Sequence, residues 1–302
     1  MDSEAANASS CVCFYCGSHA LKLTHTGVYH KYKPGYGPFD FYECTNCGSG
    51  ITYPMPSNEA LAALYQGYSD GLPEATREDL GPEGGELWHG DAVKRIGALK
   101  RFTPASPFTW IEMGAGAGEM ARLMSESFPN AKGLAADLHE HPAKLPANVE
   151  WKQIDLNLPT FHELVDRKAD VVYATGVWEH VQRPDLFAQN MIKLLNPSGL
   201  FYLLCPNYDS LARKILDTKW PYFTPGEHLT MPTPKGALAC FKRITNEAGL
   251  FAVQMNSRPR MLSYSIYYTA KRFGLPFANL IPRSLAAPLP SGALENWAII
   301  AP

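Results

Sequence analysis

A surplus of charge of either sign is absent from this 302-residue sequence: 27 Lys and Arg face 29 Asp and Glu, a net charge of −2. That balance excludes the strongly basic field that draws in a nucleic-acid backbone. Long apolar runs are also missing. None approaches the roughly 18 residues that a membrane-spanning helix requires. The opening stretch MDSEAANASS is polar and acidic, without the basic start and apolar core of a signal peptide. Nor is there an internal repeat or a low-complexity tract. The expectation from these absences is a cytoplasmic protein without a transmembrane segment. With 46% hydrophobic and 19% charged residues, the chain can bury one large core and a smaller one beside it.

In a reducing compartment, paired cysteines point to metal or catalysis before they point to disulfides. Two such pairs stand near the start, CFYCGS at 13–18 and CTNCGS at 44–49. Each Cys-x-x-Cys sets two thiolates on one tight turn, and the following Gly lets the chain fold back. Cys13, Cys16, Cys44 and Cys47 together supply four sulfurs, the tetrahedral set that suits a structural Zn²⁺. A thioredoxin-like redox motif would need a neighbouring βαβ pattern, and none is adjacent. Cys11 is a further thiol at a less suitable spacing, and Cys205 and Cys240 lie in apolar segments that read as core. The stretch HKYKPGYGPFDFYEC is expected to form the hairpin of a zinc-ribbon-like subdomain over residues 1–55.

Residues 56–105 read as a helical linker and lid. Ser57 is a candidate N-cap. A Gly-, Pro- and acid-rich loop spans 69–85, and Val93, Ile96 and Leu99 fall on one helical face. The texture then changes over 106–302. FTWIEM, AKGLAAD, VEWKQIDL, ADVVYATG and LFYLLCPN read as strands. GEMARLMSES, PDLFAQNMIKLLNPSG and TPKGALACFKRITNEAGL read as helices, the last with Thr233 as N-cap and Pro234 at its first position. FAVQM and ENWAIIAP add strands around an aromatic, Pro-rich insertion at 258–292. Strands alternating with helices specify an α/β fold with a doubly wound, mostly parallel sheet.

The first strand of this region runs into Glu112-Met-Gly114-Ala-Gly116-Ala-Gly118. Glycines here let backbone approach a ligand, and the helix start beyond favours an anion. The dinucleotide fingerprint G-x-G-x-x-G would place its third glycine at position 119, which is Glu119. Three acids, Glu112, Asp137 and Asp155, stand at consecutive strand ends, where ligands of such sheets bind. Asp137 suits a pair of ribose hydroxyls, because a carboxylate accepts two hydrogen bonds at once. Glu112 and Asp155 suit an ammonium and an exocyclic amine. The ligand so described has an amine, a ribose and a base, and no pyrophosphate.

IEMGAGAGEMARLM, AADL, IDL and ATGVWEHVQRPDLFAQNMIKLLNPSGLFYLLCPN resemble class I S-adenosylmethionine-dependent methyltransferases. The front knuckles, YPMPSNEALAALY and KWPYFTPGEHLTMPTPKGALACFKRITNEAGL extend the resemblance to a bacterial subgroup with an N-terminal zinc-ribbon-like segment. It implies a Rossmann-like sheet of seven strands and S-adenosylmethionine as cofactor. Gly114, Gly116 and Gly118 would then carry its methionine part, Asp137 its ribose, and Leu138, Asp155 and Leu156 its adenine. Met113 departs from the smaller residue usual there.

Methyl transfer to a hydroxyl needs a group that takes the proton. His180 in WEHVQRPD and His228 in GEHLTMP are both expected at the mouth of the crevice, either as general base or as backbone anchor. His180 is favoured because it follows its strand directly. Glu179, His180, Glu227 and His228 could instead hold a divalent cation, although the acid usual ahead of Trp178 is replaced by Gly176. Tyr65, Tyr68, Trp88 and His89 are lid candidates. The sequence thus reads as an enzyme that methylates a hydroxyl, or else an amine or carbon, of a small molecule or glycan. The competing readings are an RNA methyltransferase recruited by the ribbon, for which Lys22, Lys31 and Lys33 make a sparse basic face, and a cofactor-binding scaffold without turnover.

Overall fold

The computed structural model describes residues 12–65 except 32, positions 93, 96, 97, 99 and 100 of a helical segment, 107–248 except 143 and 144, the strands at 252–256, 261–265, 286–290 and 294–300, and positions 276, 277 and 280. Cys11, the 69–85 loop, Tyr68, Trp88 and His89 lie outside the described residues.

The cysteine-knuckle region forms an antiparallel sheet of β1 (Leu21–Val28), β2 (Phe39–Cys44) and β3 (Gly50–Tyr53). The hairpin differs from the expected one. HKYKPGYGP is its connecting loop, and the first strand is the earlier LKLTHTGV, paired with Phe39–Cys44 from Leu21↔Cys44 to Val28↔Phe39. A turn at Pro34-Gly35 and the Gly37-Pro38 step after it stop the alternation of that stretch from continuing as strand. Helix α1 (Asn58–Tyr65) follows, and the Ser57 hydroxyl accepts the Ala60 N–H at 3.2 Å as an N-cap should.

Five parallel strands make the heart of the larger unit: β4 (Thr109–Met113), β5 (Lys132–Asp137), β6 (Val149–Gln153), β7 (Ala169–Thr175) and β8 (Leu195–Pro206). The two-residue β9 (Thr230–Met231) pairs with β3, so the knuckle sheet takes its fourth strand from the sequence of the α/β unit. β10 (Ala252–Asn256) and β13 (Leu294–Ile300) complete seven strands in the order β10-β13-β8-β7-β4-β5-β6, with β13 antiparallel to both neighbours. β11 (Met261–Ser265) and β12 (Ala286–Pro290) form a separate hairpin within the insertion.

The central strands are buried on both faces, as parallel strands sandwiched by helices must be. Ile111, Met113, Leu134, Ala136, Val172 and Ala174 face one apolar cluster, and Trp110, Ala135, Val171 and Tyr173 face the other. Helix α2 (Glu119–Ser127) covers the second cluster with Met120, Ala121 and Met124. Helices α3 (Pro184–Lys193) and α5 (Pro234–Ala248) cover the first with Phe187, Met191, Ala237 and Phe241, while α4 (Leu211–Leu216) is a short turn of helix outside both. Cys13, Cys44, Cys47 and Ile51 join that first cluster, so the knuckles are continuous with the main core. Thr233 caps α5 through its hydroxyl on the Gly236 N–H, 3.0 Å.

Three details differ from expectation. The helix after Pro184 ends at Lys193, and NPSG already belongs to β8, because Asn196 reaches back to Asp170 Oδ1 at 2.9 Å. Val93 is 48% exposed while Ile96 and Leu99 are buried, so the apolar face there is narrower than its spacing implied. β6 ends at Gln153, which leaves Asp155 just beyond the strand.

Candidate functional site

The four knuckle cysteines converge. Cys13 Sγ lies 3.6 Å from Cys47 Sγ, Cys16 Sγ lies 3.6 Å from Cys44 Sγ, and all four sulfurs fall within 4.8 Å of one another. The two turns repeat one geometry: Gly17 N–H donates to the Cys13 carbonyl and Gly48 N–H to the Cys44 carbonyl, each at 2.7 Å. Sulfurs bonded to a tetrahedral zinc at about 2.3 Å stand about 3.8 Å apart, whereas a disulfide would need about 2.05 Å. The set therefore fits a zinc ion and no disulfide. The contact between Cys13 and Cys47 lowers the Cys47 thiol and, with burial, raises that of Cys13, so one proton is shared between the two sulfurs.

The carboxyl ends of β4, β5 and β6 lie side by side. Gly114 has φ of +76°, and a Cβ there would stand 2.3 Å from Val177 Cγ2, so conformation and space both demand glycine. The Gly116 N–H donates to Asp137 Oδ2 at 2.8 Å, and Gly118 leads into α2. Asp137 is almost wholly buried at the end of β5. Its Oδ1 also accepts the His139 N–H at 3.2 Å and pairs with the His139 ring Nδ1 at 2.7 Å. Burial opposes ionisation of Asp137, but these hydrogen bonds outweigh it and hold the carboxyl below its usual range; the same contact holds His139 above its own. Glu112 is buried and accepts the Tyr173 hydroxyl at 3.1 Å from the neighbouring strand. Asp155 accepts the Asn157 N–H at 2.9 Å, the Leu138 carbonyl accepts from Gln153 at 2.8 Å, and Leu156 packs half-buried on the core.

His180 closes a short turn, Trp178–His180, that follows β7. His228 stands just ahead of β9. Their rings meet edge to face with centroids 4.6 Å apart. The two segments are tied by the Leu229 N–H donating to the Glu179 carbonyl at 2.7 Å. His180 Nδ1 lies 3.0 Å from the Tyr65 hydroxyl, and its ring also donates to the Glu227 carbonyl. Burial first, and His228 beside it, hold the His180 imidazole down to about 3. His228 is held below its ordinary value chiefly by burial. Its Nδ1 donates to the Tyr222 carbonyl at 2.5 Å, which selects the tautomer with a lone pair on Nε2. Glu179, His180 and His228 offer ligand atoms within 4.8 Å of one another; the contacts of His180 with Tyr65 and Glu227 engage that ring in hydrogen bonding.

Tyr65 joins the two halves. Its hydroxyl meets His180, and its backbone carbonyl lies 3.4 Å from His139 Nε2, the residue that grips Asp137. The Gly turn, Asp137 and the histidine pair are thus bridged by one tyrosine. Sequence reasoning missed His139, Tyr222 and His30. His139, two residues after the strand-end acid, was open to notice. Tyr222 and His30 carried no local signal, since each acts through a partner set by the fold.

No helix among the described residues is long and apolar enough to cross a membrane. Among curated proteins no sequence match was found. Solved structures resemble this one at low identity. The plantazolicin methyltransferase BamL, in complex with a triazolic desmethylPZN analog and SAH, is 13% identical, with 80% of this chain and 97% of that chain covered at a TM-score of 0.56. Plantazolicin methyltransferase BpumL in complex with SAH is 16% identical, with 80% and 95% covered at 0.54. A chain of a complex that contains the Haloferax volcanii Trm112 methyltransferase activator is 16% identical, with 82% and 99% covered at 0.50. These are likenesses of fold. The sequence profile of a family described as "Methyltransferase domain" matches residues 87–254, more than half of the chain. With its seven-stranded sheet, glycine turn and strand-end acids, the chain belongs to this methyltransferase family and has the class I fold.

Proposed function

We propose that the protein transfers the methyl group of S-adenosylmethionine to a hydroxyl of a small molecule or glycan, with His228 as the group that takes the proton. The observation that carries this reading is the Tyr65 bridge, which sets the strand ends that carry the glycine turn and Asp137 one side chain away from the His180–His228 pair. S-adenosylmethionine would supply a methyl on a sulfonium, open to in-line displacement. Gly114, Gly116 and Gly118 would let backbone approach its methionine part, Asp137 would hold the ribose hydroxyls, and Leu138, Asp155 and Leu156 would border the adenine. Glu112 lies in the sheet beneath the turn, where its charge favours the ammonium.

On the acceptor side His228 is buried and His180 half-buried, and both imidazoles are held below their ordinary value, neutral at neutral pH. His228 then presents the Nε2 lone pair that its hydrogen bond to Tyr222 leaves for a proton. His180, whose Nδ1 faces the Tyr65 hydroxyl, orients that phenol and the neighbouring imidazole. This reverses the preference that strand proximity alone suggested. The four cysteines hold a structural zinc.

The test is direct. The protein with S-adenosylmethionine is incubated with fractionated pools of hydroxylated small molecules and glycans, and products are followed by a mass gain of one methylene with release of S-adenosylhomocysteine. Methylation confined to RNA would transfer the assignment to the ribbon-recruited reading. Tight S-adenosylhomocysteine binding with no product in any pool would favour the scaffold.

A further inference from the structure

The loop between β1 and β2 reaches across to the segment that carries His228. His30 Nε2 lies 2.7 Å from Glu227 Oε2, and both residues are more than nine-tenths buried. The Tyr36 hydroxyl donates to the Gly226 carbonyl at 3.3 Å, and Lys31 Nζ donates to the Trp220 carbonyl at 2.6 Å. Gly226 has φ of +87°, and a Cβ there would stand 2.4 Å from the Phe39 ring, so the ribbon packs flush on this turn. From β3, Thr52 Oγ1 donates to the His228 carbonyl at 2.9 Å, and the Thr52 N–H donates to the Leu229 carbonyl at 2.8 Å. Residues 220–229 are therefore held in register by the cysteine-knuckle unit.

We propose that His30 is a positioning residue of the methyl-transfer site: it holds the Glu227 side chain, and through Glu227 it sets the placement of the neighbouring His228. The knuckle unit on this view is a working wall of the acceptor half. The proposal rests on the assignment of His228 given above. The groups that face His228 are His180 and Glu179 from the turn after β7, Tyr222 and Glu227 from its own loop, and His30 and Lys31 from the knuckle unit. The Glu227 charge raises the affinity of His228 for a proton, and His30 and Lys31 lower it. A donor at position 30 shares the Glu227 charge, so its removal leaves more of that charge for His228.

The experiment uses the full chain, with histidine ring nitrogens followed by long-range ¹H–¹⁵N spectra from pH 5 to 9, in wild type, His30→Ala, His30→Gln and Glu227→Gln. In His30→Ala the His228 titration should move up. His30→Gln keeps a donor to Glu227 and should stay near wild type, and Glu227→Gln should move His228 down. S-adenosylhomocysteine affinity, measured on the same samples, should stay within about twofold in all four. His228 titrating identically in all four folded proteins would overturn the proposal, as would equal shifts in the Ala and Gln variants. If His30→Ala does not fold, the contrast between wild type, His30→Gln and Glu227→Gln still decides it. Failure of every form to bind S-adenosylhomocysteine would instead count against the cofactor assignment.

Discussion

Asp137→Ala should weaken S-adenosylmethionine binding, and the structure sets how much. An ionised carboxylate offers about four acceptor sites. In the fold Asp137 meets three donors: the Gly116 N–H at 2.8 Å, the His139 ring at 2.7 Å and the His139 N–H at 3.2 Å. A ribose diol brings two more donors. One can take the remaining site; the other must displace a donor already there, and the long His139 N–H contact yields first. The gain is therefore about one charge-assisted hydrogen bond, the second being an exchange. One such bond contributes about 1.5–3 kcal/mol, or roughly 10- to 150-fold in Kd. Two full bonds would give twice the energy, so the measurement separates the cases. Titration calorimetry with S-adenosylhomocysteine on both proteins provides the number, and circular dichroism provides the check on folding. A Kd within twofold of wild type in a folded Asp137→Ala protein would place the ribose elsewhere. Preference for NAD over S-adenosylhomocysteine would refute the cofactor reading itself.

Elemental analysis of purified protein should return about one zinc per chain, and four chelator-insensitive free thiols without metal would end that assignment. His228→Gln should lower turnover roughly 10²–10⁴-fold with cofactor affinity near wild type, while His180→Gln should cost less; the reverse order would restore His180 as the base. Gly114→Ala should destabilise the fold by about 2–5 kcal/mol, the sum of a left-handed alanine and a clash with Val177, and thermal denaturation with an unchanged midpoint would contradict the geometry of the turn. The Asp137–His139 pair should stabilise most between about pH 4 and pH 6.5. Asp137 is depressed, so its share is lost as pH falls through its folded value. His139 is raised, so its share is full below about 6.5 and fades as pH rises through its folded value. His139→Gln should lower the melting temperature within that window and remove the decline above about pH 6.5, and an unaltered profile would deny the coupling.

Local chemistry was enough to read much of this protein. Alternating strands and helices announced the parallel sheet, because each element must bury an apolar face of its own period. Gly114, Gly116, Gly118 and Asp137 were legible because a glycine turn and a strand-end acid have meaning within a few residues of chain. The same holds for Cys13, Cys16, Cys44 and Cys47, whose spacing already builds two half-sites for a metal. The Thr233 and Ser57 caps were visible for the same reason.

What the tertiary structure alone decided lies between distant segments. That LKLTHTGV pairs with FDFYEC was not read from alternation, which placed the hairpin within HKYKPGYGPFDFYEC. The Thr230–Met231 strand joins the knuckle sheet across some 180 residues of chain, so no spacing rule reveals it. The partners of the two histidines came from the fold: the Tyr222 carbonyl accepts from His228 nearby, while Tyr65 and the Glu227 carbonyl engage His180 from elsewhere in the chain. The sequence determined which groups could do the chemistry. Burial and the partners brought to each ring depend on the whole packed chain.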